Sequence, residues 1–249
     1  MEALFESMRV EEYGNAVIVY NSELHAKRLF KSVRELNFVI VRNAKGLDCH
    51  VANTPRNDET LFFQNQIKNF LQYRFNKVVS FKENTIADPF KEAPTHQVYK
   101  LRFIYYENAD IKINIEEYTR DLEQEWKVRV IEPEEFSINS QDLQWKHKLY
   151  SRESIPVSAE WQEQIWLNER GEVCEGSFTN IFWKTDETWY TPDLSTNILT
   201  GTMRELLIPA LGAKEVNYTV YDLKKTKEII LTNAMIGIKS ISLSEGSQS

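Results

Sequence analysis

Asn168-Glu169-Arg170-Gly171-Glu172-Val173-Cys174-Glu175-Gly176-Ser177-Phe178-Thr179-Asn180-Ile181-Phe182 is the stretch on which the reading of this chain turns. Residues 164–168 just ahead of it have a strand pattern, and Arg170-Gly171 makes a turn. A second short strand then runs into small residues before the apolar run Ile181-Phe182. Glu175 stands between Cys174 and Gly176, where few neighbours solvate a carboxylate unless a cationic partner arrives. Tight backbone and one placed carboxylate are the raw material of a binding turn; the competing reading is an ordinary hairpin with a surface salt bridge.

The glycines sharpen that reading. There are 8 in 249 residues, about 3% against a usual value of about 7%. Gly171, Gly176, Gly201 and Gly237 all fall in the last third, each beside small polar residues. The length fits one large domain or two small ones and is ample for a hydrophobic core. The balance of 30 Lys plus Arg against 37 Asp plus Glu leaves a formal charge of -7, a poor basis for phosphate-neutralising nucleic-acid binding. No apolar run approaches a membrane span, and the first residues do not form a signal peptide. The two cysteines, Cys49 and Cys174, have no metal-type spacing, and the expected location is the cytoplasm. His25, His50, His96 and His147 are scattered, so metal catalysis is not expected. A serine nucleophile elbow, a Walker loop and a dinucleotide fingerprint are missing.

Outward from the decisive stretch, the pattern is mixed. Residues 4–10 and Ala16–Tyr20 read as a hairpin around Tyr13-Gly14-Asn15. Asn21 or Ser22 should cap a helix through Leu24, Arg28, Leu29, Val33 and Leu36. Residues 37–42 read as a strand, 43–60 as loop and 61–75 as helix. Strands follow at 98–106 and 111–118, then a charged linker at 118–125, then strands at 127–132 and 164–168. A hairpin at 181–191, a helix over Thr202–Leu211 closed by Gly212, and strands at 216–220 and 228–231 complete the pass. Residues 244–249 read as disordered. Strands and helices without regular alternation predict an α+β protein.

Two further segments carry chemistry. Thr191-Pro192 is followed by Leu199-Thr200-Gly201-Thr202-Met203-Arg204, a hydroxyl-glycine-hydroxyl loop opening a helix, where free N–H groups make an anion site. Leu231-Thr232-Asn233-Ala234-Met235-Ile236-Gly237 is a strand ending in small and polar residues. Each alone is weak. Taken in order with Phe5-Glu6-Ser7-Met8-Arg9 and His25-Ala26-Lys27-Arg28-Leu29, they make the chain resemble the class IV aminotransferases, the pyridoxal phosphate enzymes of fold type IV.

That resemblance implies a domain plan and a set of residue roles. Two α/β-type domains are expected, a small one over 1–117 and a large cofactor-binding one over 126–249, joined at 118–125, with a cleft between them and a homodimer completing each site. Lys148 or Lys146, in Trp145-Lys146-His147-Lys148-Leu149-Tyr150-Ser151-Arg152, supplies the Schiff-base amine; the lyase-like spacing of a lysine four residues before an arginine selects Lys148 with Arg152. Glu175 faces the pyridine nitrogen and keeps it protonated. Arg28 grips the cofactor phosphate, with Thr200, Gly201 and Thr202 completing the cup. Arg152 lies near the phenolic oxygen, and Ala234 stands where lyases carry a phosphate-binding serine.

Substrate contacts are expected from Asn233, Met235 and Arg102. Arg102 stands in for the family's Ser/Thr-Arg-Gly loop, which is replaced here by Tyr105-Tyr106-Glu107-Asn108. Its competing reading is a strand arginine paired across the sheet. The family usually carries some twenty residues before the opening strand, on which this chain almost begins. Within the family the Lys148–Arg152 spacing and the Thr232-Asn233…Gly237 ending favour 4-amino-4-deoxychorismate lyase, which releases pyruvate and leaves 4-aminobenzoate. An aminotransferase using 2-oxoglutarate, of branched-chain or D-amino-acid type, is the alternative, and a non-catalytic protein that kept the fold is the third reading.

Overall fold

The computed structural model describes residues 2–38, 57–86, 97–119, 125–151, 160–223, 225–226 and 228–243. Residues 39–42 of the expected strand, together with Cys49, His50, His96, Arg152 and the segment 244–249, lie outside them. The chain divides into two compact units: Met1–Thr85, Pro94–Thr119 and Lys148–Ser154 form the first, and Ile86–Ala93, Arg120–His147 and Ile155–Ser249 the second.

In the first unit β1 (Ala3–Tyr13) and β2 (Ala16–Tyr20) form the expected hairpin. Helices α1 (Ser22–Glu35) and α2 (Asn57–Phe75) come next, then β3 (Val78–Lys82), β4 (Gln97–Tyr106) and β5 (Ile111–Glu117). The sheet order is β3-β2-β1-β4-β5. Strand β1 is central and buried on both faces over most of its length. Its side chains alternate, so Leu4, Met8 and Val10 enter the core with Leu29, Phe30, Val33, Phe63, Ile67 and Leu71 of the helices. Glu6 shares that core-facing register. Phe5 and Ile104 form a separate small cluster with Ala3.

Asn21 is the N-cap of α1 but its side chain does not cap. It is in the left-handed region and exchanges two bonds with the Thr85 backbone, at 2.8 and 2.9 Å. The free helix amide of Glu23 is taken instead by Glu83 Oε2 at 3.1 Å, while Ser22 donates to Glu83 Oε1 at 2.5 Å. The sequence pattern does not predict strand β3, and it is the partner that makes this cap possible.

The second unit holds β6 (Val128–Val130), β7 (Ser137–Ile138), β8 (Glu163–Asn168), β9 (Val173–Gly176), β10 (Asn180–Thr185) and β11 (Thr188–Pro192). They continue into α3 (Thr202–Leu211), β12 (Lys214–Val216), α4 (Val220–Leu223), β13 (Glu228–Asn233) and β14 (Gly237–Ile241). One sheet runs β12-β11-β10-β13-β14; the other runs β6-β8-β7, with β9 paired to β8. The strand expected at 216–220 is corrected. Lys214–Val216 pairs parallel to β11, the chain beyond it makes an isolated antiparallel bridge of Thr219 with Glu172, and Thr219 donates from its amide and hydroxyl to Asp222, turning the chain into α4. Helix α3 has the expected bounds and ends at Gly212 with φ 60°, the left-handed conformation a side chain disfavours.

Candidate active site

Each unit contributes its own set of groups. In the first, Leu149 bridges Leu4, and the Lys148 carbonyl accepts from the Phe5 amide at 3.0 Å. Lys148 is half-buried, its Nζ 4.9 Å from the centre of the Phe5 ring. Lys146 instead closes a 3-10 turn over Leu143–Lys146 and is exposed. The two lysines therefore do not sit on one extended strand, and their surroundings differ, Lys146 exposed and Lys148 half-buried.

Across β1, Arg28 and His25 of α1 converge on Glu6. Arg28 Nε donates to Glu6 Oε1 at 2.9 Å, and its Nη2 reaches Oε2. His25 Nδ1 lies 2.7 Å from Oε2. Burial disfavours the Glu6 charge, but the Arg28 guanidinium and the His25 bond outweigh it and hold the carboxyl at about 2, against 4.5. His25 is pushed down by burial, against the pull of Glu6, with Arg28 and Lys148 adding to the depression. At neutral pH His25 is thus a neutral ring donating its Nδ1–H, and the ion pair is Glu6–Arg28. The short helical spacing from His25 to Arg28 puts both on the face of α1 that meets β1. Arg102 faces the other side of the sheet. It lies opposite Ser7 and opposite Asn114, with its guanidinium 5.4 Å from the Phe5 ring centre.

In the second unit, Glu175 on β9 is buried. Its Oε2 accepts from the Leu199 amide at 3.0 Å and, more weakly, from Asn180 Nδ2 at 3.4 Å. Asn180 Nδ2 also donates to the Leu199 carbonyl at 3.0 Å. The decisive turn and the Leu199-Thr200-Gly201 loop are thereby tied together. Gly201 is the N-cap of α3, with no side-chain cap bond, and a Cβ there would lie 1.9 Å from Asn180 Oδ1. Glycine is required by the neighbour, not by the dihedral. Thr200 and Gly201 are half-buried and Thr202 is buried. At the third segment, Asn233 Oδ1 accepts from the amides of Met235 and Ile236 at 2.8 and 2.9 Å, forming a closed turn around Ala234. Asn233 and Ala234 are half-buried, while Met235 is buried.

Three groups in these sets lie within the segments quoted from the sequence yet carry no expected role there. Glu6, His25 and Asn180 are polar and buried: Glu6 contacts Arg28, Asn180 contacts Glu175, and His25 contacts Glu6. A fourth, Glu163, falls one residue outside the strand expected at 164–168. A polar residue in the apolar register of its strand or helix is the local signal for them.

The donor set of the second unit fits the ring end of pyridoxal phosphate. A buried carboxylate anchored by a backbone N–H can oppose a protonated ring nitrogen, and a helix start without side-chain capping can take a phosphate. Lys148 and Arg28 of the first unit are of the kinds needed for the aldehyde and the phosphate.

The class that this fold and these groups define is a two-unit mixed α/β enzyme of the pyridoxal phosphate type. The family model described as Amino-transferase class IV matches residues 3–243, so the chain belongs to that family. Its members are pyridoxal phosphate enzymes. The aminodeoxychorismate lyase of Bacillus subtilis (strain 168) is 36% identical over 81 residues, 30% of this chain and 28% of that protein, so the match spans less than a third of the relative's length. The branched-chain aminotransferase of Thermoproteus uzoniensis, solved with norvaline, superposes with a TM-score of 0.71 at 19% identity over 98% of this chain and 80% of that one. The branched-chain amino acid aminotransferase of Escherichia coli gives 0.66 at 15% identity over 98% and 77%. At such identities the solved structures establish the fold. Among the described residues, no helix is long and apolar enough to cross a membrane.

Proposed function

We propose that the chain is a pyridoxal phosphate enzyme that eliminates pyruvate from 4-amino-4-deoxychorismate to give 4-aminobenzoate. The observation that carries the cofactor reading is Glu175, a buried carboxylate held by the Leu199 amide at the loop that opens α3. The lyase reading rests on the Thr232-Asn233…Gly237 ending and on the similarity to the Bacillus subtilis lyase.

When bound, pyridoxal phosphate supplies an electron sink for negative charge developing on the substrate. Glu175 holds a proton on the ring nitrogen by presenting a fixed negative charge to it. The α3 amides and the hydroxyls of Thr200 and Thr202 bind phosphate oxygens. Arg28 is the proposed phosphate-binding guanidinium, which Glu6 holds in orientation along the Nε–Nη2 edge. Lys148 Nζ accepts a proton from the substrate α-carbon and returns it as the products part, acting as base and then acid. Asn233, Met235 and Arg102 orient the substrate, Ala234 leaves its phosphate contact to the backbone, and Arg152 is assigned to the phenolic oxygen by the family resemblance. The enzyme works as a homodimer in the cytoplasm, with residues 118–125 linking its domains.

An aminotransferase is the second reading, favoured by the likeness of fold to branched-chain aminotransferases. It would use the same lysine to move the proton to a cofactor carbon and would need an amino acceptor. The test is the visible spectrum with added cofactor, for the parent and for Lys148→Ala, followed by product analysis. A cofactor band in the parent and none in Lys148→Ala, with pyruvate and 4-aminobenzoate formed without 2-oxoglutarate, is the expected result. Turnover that requires 2-oxoglutarate would transfer the assignment to the aminotransferase. No band in either protein would leave the non-catalytic reading.

A further inference from the structure

Glu163, the first residue of β8, is completely buried and has no part in the chemistry above. Its carboxylate receives four donors. Oε1 accepts from the amides of Gln164 and Ser177, both at 2.8 Å, and from the Ser177 hydroxyl; Oε2 accepts from Thr179 Oγ1 at 2.7 Å. Three of the four come from the turn that directly follows Glu175. That turn also closes on itself, Gly176 N donating to Thr179 O at 2.7 Å.

Gly176 shows how completely the carboxylate fills the turn. A Cβ at this position would lie 2.2 Å from Thr179 Oγ1 and 2.6 Å from Glu163 Oε2. The space a side chain would take is occupied by the carboxyl group and its partner. Burial pushes the Glu163 carboxyl up, against the pull of the Ser177 and Thr179 bonds, so the group is retained at an energetic cost. An apolar residue at a strand start in a core would carry no such cost.

The held turn has two outlets. On its N-terminal side is Glu175. On its other side the Phe178 carbonyl accepts from Asn233 Nδ2 at 3.0 Å, and Asn233 Oδ1 in turn holds the Met235 and Ile236 amides. One carboxylate on β8 therefore stands behind two segments far apart in sequence.

We propose that Glu163 is a positioning residue: its carboxylate is the internal template of the 176–179 turn, and through that turn it fixes both the Glu175 carboxylate and the 233–236 turn. The consequence for the cofactor rests on the functional reading above; the tie between the two turns does not.

The experiment has two arms. In the first, backbone hydrogen exchange is followed on the protein without cofactor. Glu163→Ala should speed exchange in 176–179 and in 233–236, while α3 and the β10–β11 hairpin keep their parent rates. Exchange accelerated uniformly through the second unit would show a merely structural role and overturn the proposal, as would unchanged exchange at 233–236. Thr191→Val, which removes a buried bond to the Ile181 carbonyl at 2.9 Å, is the control for general loosening.

The second arm titrates pyridoxal phosphate. Glu163→Ala should bind about tenfold more weakly, the scale of one lost buried hydrogen bond. Glu163→Gln should return to within about twofold of the parent, because its amide oxygen can take the Oε1 donors and its NH2 can meet the Thr179 hydroxyl as acceptor. Undiminished affinity in Glu163→Ala, or failure of Glu163→Gln to rescue, would overturn the positioning role. A parent protein that binds no pyridoxal phosphate would sink the functional reading instead, and the exchange arm would then decide the tie between the turns alone. If Glu163→Ala does not fold, Thr179→Val and Ser177→Ala remove its two hydroxyl bonds one at a time and are read in the same two arms.

Discussion

Glu6 in the first unit and Glu163 in the second are both buried carboxylates, and the two units treat them in opposite ways. Glu6 is met by a guanidinium and an imidazole, and its charge is favoured in spite of burial. Glu163 is met by two amides and two hydroxyls, all neutral, and burial wins. Neutral donors satisfy a carboxylate's lone pairs, but four of them do not replace one cation at contact distance. The difference separates two uses of a buried acid. One fixes a cation in place; the other shapes backbone and tolerates losing its charge.

The largest effect should come from breaking the cationic side. Arg28→Leu leaves Glu6 buried beside a neutral histidine, and urea unfolding without cofactor should show a loss of about 3–5 kcal/mol. The double variant with Glu6→Gln should recover a substantial part of it. A single variant no more destabilised than the double would mean that the pair is not what holds α1 to β1.

The acid response sharpens the comparison next. Glu6 has a folded value near 2 against 4.5, so its contribution is present in full above 4.5 and is lost as pH falls toward 2. That loss amounts to about 3 kcal/mol. Glu163 has the reverse sign. Its folded value is raised, so its contribution is present in full below the ordinary carboxylate value and is lost as pH rises through the folded value. Chemical denaturation across pH should show Glu6→Gln removing slope from the acid limb and Glu163→Gln removing slope of the opposite sign above it. Slopes of equal sign would refute the contrast.

A smaller effect is expected on the neutral side of the comparison, where Asn180 joins Glu175 to the loop before α3. Gly201→Ala should cost about 1–3 kcal/mol, because the new methyl meets Asn180 Oδ1. In an Asn180→Ala background the same change should cost much less. Equal costs in the two backgrounds would show that the crowding lies elsewhere.

Legibility in the sequence follows range. The β1–β2 hairpin and α3 with its Gly212 ending carry local signals, and both form where the pattern places them. Strand β3 does not announce itself: Val78–Lys82 is short and largely exposed, and it exists by pairing in parallel with β2, some sixty residues earlier. Strand β14 is likewise made by its antiparallel partner β13. The apolar spacing at 216–220 misleads because Asp222, beyond the window, redirects the chain.

The site divides in the same way. Glu175 and Gly201 lie within turns that the small residues around them mark locally. Glu163 finds its partners 14 and 16 residues on, and Glu6 finds His25 and Arg28 19 and 22 residues on. Nothing at those separations is visible to a periodicity argument. A polar residue in an apolar register can be read locally, but its partner cannot.

The seating of Leu149 against Leu4 and of Lys148 against Phe5 has a consequence for the order in which the protein can be assembled. The first unit is not contiguous: it closes with residues that come after β6 and β7 of the second. During synthesis from the N-terminus, its opening strand must wait until the ribosome has passed residue 149 and released the segment that lies against it. A fragment ending at Thr119 would leave that part of β1 bare, however complete its sheet. Lys148 thus arrives as the closing piece of one unit while the chain is already committed to building the other.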